Sequence, residues 1–164
     1  MVFLISLLVT LGLTFLEISV SHYFQFFNAS AFFTLAFLVG LSIRSRNYFQ
    51  IILAGLAGLV FDFASLNTVP IFTIIFILTV IIGRVFFYRK TSYKIINPFV
   101  LLLLISTSLI YLSSLPILFR SNFVGWQNYV VIFAAGTVLT LVIGLIEYRL
   151  FEPYFNWLDE RTEK

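Results

Sequence analysis

Apolar runs recur about six times along the chain, and each break between them is a short polar segment rather than a loop of domain size. A helix crossing a bilayer needs roughly 20 consecutive apolar residues. On that requirement the pattern predicts helices over Val2–Val20, Phe24–Ile43, Tyr48–Phe63, Val69–Tyr88, Pro98–Ile117 and Gln127–Phe151. The third is the shortest, at about 16 residues, and Gly55 and Gly58 lower its helix propensity. Five crossings therefore stand as an alternative to six.

The breaks carry helix punctuation. Asn97-Pro98 reads as an N-cap followed by Pro at the first helical position, where its missing N–H does no harm, and Thr68-Val69-Pro70 offers a similar start. The expected organisation is a six-helix transmembrane domain over residues 1–153 and a short cytoplasmic tail over 154–164. In that tail Tyr154, Phe155, Trp157 and Leu158 stand beside Asp159, Glu160 and Arg161, a composition suited to a helix lying on the membrane surface.

The most pointed polar pattern lies in the first helix. Ser6, Thr10, Thr14, Glu17 and Ser21 are spaced by three or four residues, so they form one stripe. An ionisable Glu17 facing lipid would cost several kcal/mol, so the stripe must face protein or water. Three readings of Glu17 follow: it reaches water near the outer interface, it makes a structural hydrogen bond inside the bundle, or it binds a proton or cation.

Small residues mark close helix approaches. Ala36-x-x-x-Gly40, Ala54-x-x-x-Gly58 and Gly136-x-x-x-Thr140-x-x-x-Gly144 each put small side chains on one face. They serve either packing within the bundle or docking of another protein's membrane helix.

Composition sharpens the class. Hydrophobic residues are 61% of the 164 and charged residues 10%, where a soluble domain carries roughly 25% charged. Nine of the ten Lys and Arg belong to one side, in alternate breaks, at the adjoining span ends or in the tail: Arg44, Arg46, Arg89, Lys90, Lys94, Arg149, Arg161 and Lys164, with Arg84 a turn inside its span and able to snorkel to that face. Arg120 alone falls on the other side. That bias predicts both termini in the cytoplasm and an even number of crossings. Tyr23, Trp126 and Tyr129 then fall near the outer boundary, and Tyr48, Tyr88, Tyr93, Tyr148 and Trp157 near the inner one, as interfacial belts. Met1–Val20 lacks a basic n-region and a small-x-small cleavage site, so it reads as a retained helix. The net charge of +3 restates the positive-inside bias and gives no nucleic-acid footprint.

One segment carries a motif. Gly55-Leu-Ala-Gly58-Leu-Val-Phe-Asp62-Phe-Ala-Ser65 is a glycine-rich helix end of the form Gly-Leu-x-x-Asp-x-x-Ser, and the next helix closes with Gly83-Arg84. The combination resembles the rod shape-determining protein MreD family, whose length and scarcity of soluble loops are also similar. Leu66-Asn67-Thr68-Val69-Pro70 stands where family members usually carry further glycine. The resemblance implies a non-catalytic inner-membrane scaffold that binds an MreC-like single-span protein and the wall-elongation complex. It makes Ala54, Gly55, Gly58, Asp62, Ser65, Gly83 and Arg84 candidates for helix packing or partner contact. It further implies a fold similar to the membrane substrate-binding subunits of energy-coupling-factor vitamin transporters, and such a subunit is the alternative function.

Catalytic signals are missing from the sequence. The one His, His22, stands at a span boundary beside Tyr23, and HExxH, Walker and nucleophile-elbow patterns are absent. With no cysteine there is no thiolate site. No metal, cofactor or small-molecule ligand is expected.

Overall fold

A computed structural model describes residues 2–20, 31–44, 48–65, 69–87, 96–121 and 126–162. Among these residues there are six α-helices and no strand. They are α1 (Val2–Val20), α2 (Phe33–Arg44), α3 (Phe49–Ala64), α4 (Ile71–Ile82), α5 (Ile96–Ser121) and α6 (Trp126–Thr162), with a π-helical turn at Gly83–Phe87 prolonging α4. Ser21, His22, Tyr23, Arg46, Tyr88, Arg89, Lys90, Tyr93, Lys94 and Lys164 lie outside the described residues.

Cross-helix contacts fix the directions. Thr79 bonds Ser106 and Gly83 abuts Leu102, so α4 and α5 are antiparallel; Gly55 meets Ile77 and Gly58 meets Thr73, so α3 and α4 are too. Phe32 meets Phe72 while Ser42 meets Gly83, which makes α2 and α4 parallel. The Phe32 amide reaches Thr140 and Ala36 touches Gly144, so α6 runs with α2. Ser6 at the start of α1 bonds Tyr154 near the end of α6, so the start of α1 and the last turns of α6 lie at one end of an up-and-down bundle.

One of the two shortest helices, α2, occupies the interior. Every residue of α2 from Thr34 to Ile43 is buried, because α2 touches all five other helices. At 12 residues it is only about 18 Å long. The polar stripe of α1 points inward as well: Ser6, Thr10 and Thr14 have no exposed surface. Their hydroxyls donate to the carbonyls of Val2, Ser6 and Thr10, four residues back, so each is satisfied on its own helix. Thr79, Ser106, Thr107 and Thr140 do the same.

The outer surface is correspondingly apolar. Leu4, Leu8, Phe63, Val85 and Leu150 are each 60% or more exposed. Two segments, Val2–Ser19 and Gln127–Leu158, are long and apolar enough to cross a membrane. Phe33–Arg44, Phe49–Ala64, Ile71–Phe86 and Pro98–Ser113 are shorter apolar helices.

Three expectations change. The chain does not break at residue 153: α6 runs through Pro153 to Thr162, about 55 Å, and residues after the proline join the core. Phe155 and Leu158 are fully buried, and the Phe155 ring lies against Gly40. A surface-lying helix is thereby replaced by a docked one, because the aromatics pack on α2 more fully than a membrane surface would allow. Tyr129 and Tyr148 are not belt residues either. Both are buried, with Tyr129 donating to the Tyr111 carbonyl at 2.6 Å and Tyr148 accepting from Arg44 at 3.1 Å. The phenylalanines gather into two clusters, one of Phe37, Phe151 and Phe155 near the chain ends and one of Phe32, Phe61, Phe72 and Phe76 at the far end.

Candidate functional site

The motif segment closes onto α4. Asp62, buried in the last turn of α3, accepts the Phe72 amide at 3.0 Å through one oxygen and the Thr73 amide at 2.9 Å through the other; the Thr73 hydroxyl adds a bond at 2.6 Å. Phe72 and Thr73 are the second and third residues of α4, whose N-cap, Pro70, offers no side-chain bond. A carboxylate there satisfies two orphan amides and meets the positive end of the helix dipole. Gly58, one turn earlier, lets the helices approach: a Cβ would overlap the Thr73 backbone. Gly55 is looser, since a Cβ there would meet only Ile77, at 3.6 Å. Ser65 is exposed and returns its hydroxyl to Phe61 at 2.7 Å, closing α3.

Of the two readings of Ala54-x-x-x-Gly58, these contacts favour packing within the bundle over docking of another protein's helix. Ala54 has no exposed surface and Gly58 is buried against α4 of the same chain. The other small-residue rows are internal too. A Cβ on Gly144 would come within 2.7 Å of Leu103 and 3.2 Å of Ala36, Gly40 lies under Phe155, and Gly136 abuts the Tyr111 hydroxyl. Gly83 is wedged between Ser42 and Leu102. Arg84, in the π-helical turn, stacks over the Tyr48 ring at 3.5 Å, and its Nη1 is buried without a partner. The Arg84 guanidinium is thus held by a cation–π contact with Tyr48.

Glu17 has the same architecture as Asp62. It is 2% exposed and accepts the Thr34 amide at 2.8 Å, in the first turn of α2. An acid near the end of α1 thereby caps α2, as an acid near the end of α3 caps α4. Reaching water at an interface is overturned as the account of Glu17, since the amide of a neighbouring helix holds it inside. Ser21, the last member of the stripe, lies outside the described residues.

Sequence reading passed over one residue. Glu147 on α6 is 6% exposed, and neither carboxylate oxygen has a hydrogen-bond partner. The apolar run ends near Phe151, four residues past Glu147, whereas the helix continues for three more turns beyond that point. The available signal was its spacing, three residues after Gly144 on a small-residue face. Among the described residues no group of three or more His, Cys, Asp or Glu comes together to hold a metal.

No protein-family model, curated protein or solved structure matches the chain.

Proposed function

We propose that this chain is a multi-pass protein of the bacterial cytoplasmic membrane, with both termini inside, that serves as a non-catalytic scaffold of the wall-elongation machinery. The observation carrying the membrane reading is the inverted polarity of the bundle. Hydroxyls and carboxylates of Ser6, Thr10, Thr14, Glu17, Thr79, Ser106 and Glu147 are buried, while leucine, valine and phenylalanine face outward. Water favours the opposite distribution, and lipid favours this one. The start of α1 and the last turns of α6 lie together, which agrees with an even number of crossings and with the positive-inside bias.

Support for the scaffold reading is the Gly58, Asp62, Ser65 and Gly83-Arg84 pattern that resembles the MreD family. In this bundle Gly58 and Asp62 build the α3–α4 hairpin, so partner contact falls to outward residues of these helices, among them Ile52, Leu56, Leu59 and Phe63. Affinity purification in mild detergent tests the function. Recovery of a single-span periplasmic protein is expected; recovery of an ATPase module instead would make the chain a transporter's substrate-binding subunit.

A further inference from the structure

Arg84 keeps its hydrogen-bond donors unspent. Its guanidinium carbon stands 3.5 Å from the centre of the Tyr48 ring, and Tyr48 is 74% exposed. Nη1 is buried without a hydrogen-bond partner, and among the described residues neither a carboxylate nor any other acceptor meets the rest of the group. Arg44, at the same end of the bundle, differs: its Nε and Nη2 donate to the Tyr148 hydroxyl at 3.2 and 3.1 Å.

The backbone beneath Arg84 is fixed. Gly83 is wedged between Ser42 and Leu102, and the π-helical turn that begins there, Gly83–Phe87, is a form of helix found often at functional sites. Stacking on Tyr48 uses the faces of the guanidinium and leaves its N–H groups in their plane, as a fork that fits two oxygens of one anion. Arg84 as a whole is partly exposed, so an acceptor can approach from outside the bundle. The charge of the neighbouring sequence favours an anion too. Stretches 45–47 and 88–95, next in the chain to Tyr48 and to the π-helical turn, contain Arg46, Arg89, Lys90 and Lys94 and no acid. By the basic-residue bias this end of the bundle meets the cytoplasmic leaflet, where phosphate is the abundant acceptor and acidic lipids add negative charge.

We propose that Arg84, held flat on Tyr48, binds a phosphate group, and that the headgroup of an acidic phospholipid supplies it. A planar fork on a fixed turn then selects a phosphate by geometry as well as by charge. The inference rests on the membrane reading above and not on the scaffold reading.

The test extracts the full chain from washed membranes into an uncharged detergent and follows thermal unfolding with short-chain phosphatidylglycerol, with short-chain diacylglycerol, which lacks the phosphate, or with inorganic phosphate. Phosphatidylglycerol should raise Tm by roughly 3–5 °C at about tenfold excess over Kd, and diacylglycerol should not. Arg84→Gln should abolish the rise. Tyr48→Leu, which changes an exposed ring, should weaken binding about tenfold and serves if Arg84→Gln does not fold. Arg149→Gln removes the same charge from an exposed position on α6 and should keep the rise. An equal rise with inorganic phosphate would keep the phosphate site and move its source from lipid to solvent. Recovery of the chain in the soluble fraction would overturn the membrane reading and the lipid source with it. A membrane-bound, folded chain whose Tm ignores phosphatidylglycerol and phosphate alike overturns the proposal alone, as do an equal rise with diacylglycerol, an undiminished rise in folded Arg84→Gln or Tyr48→Leu, and an equal loss in Arg149→Gln.

Discussion

The carboxylate of Asp62 accepts the backbone amide of Thr73 at 2.9 Å, joining the last turn of one helix to the first turn of the next. Glu17 and Thr34 repeat the relationship at 2.8 Å between α1 and α2. In an apolar bundle such bonds matter because bulk water is not at hand to satisfy the first amides of a helix.

Asp62→Ala should therefore destabilise the protein by about 1–2 kcal/mol, the usual cost of losing a cap. Asp62→Asn, which still accepts an amide, should lose less. Ser65→Ala at the exposed end of the motif should stay within about 0.5 kcal/mol. Thermal unfolding of the three variants in one detergent checks the order, and equal losses for Asp62→Ala and Ser65→Ala would contradict the capping role.

Glycine positions on α3 should separate sharply. Gly58→Ala places a methyl group into the Thr73 backbone, which cannot move as a side chain can, and should cost about 1–3 kcal/mol or more. Gly55→Ala meets only the end of Ile77 at 3.6 Å and should be neutral or slightly stabilising. Gly58→Leu should fail to fold rather than lose a partner selectively. Yield of monodisperse protein and Tm report the difference.

Residues after Pro153 should be required for folding. Truncation at Phe151 removes Phe155 and Leu158, both fully buried, and large buried side chains cost about 2–5 kcal/mol each when deleted. A double-mutant cycle of Ser6→Ala and Tyr154→Phe should give a coupling of about 1 kcal/mol from their shared hydrogen bond. Zero coupling would mean that this end of α6 does not dock on α1.

Cysteines placed at Asn67 and Asn122 should react with an impermeant thiol reagent in intact cells, and cysteines at Ser45 and Thr91 should not. The chain has no native cysteine to interfere. Reversed labelling would invert the orientation that the basic residues predict.

What the sequence determined by itself is the number and class of elements. The six apolar runs became six helices, and α1 spans Val2–Val20 as the pattern predicts, because long uninterrupted apolar stretches specify a helix locally. The inward face of Ser6, Thr10 and Thr14 was also legible, since a polar stripe on an apolar helix can turn only toward protein or water. Tertiary structure alone decided the rest. It made α2 the buried centre, which no periodicity could announce when every face is apolar, and it carried α6 past Pro153 into the core. Of the roles left open for the motif it gave Gly58 the one of packing within the bundle and set Asp62 on the first amides of α4, and it buried Glu147 without a hydrogen-bond partner. Those outcomes depend on which helix lies against which, a choice made by contacts between residues far apart in the chain, where spacing along the sequence carries no information.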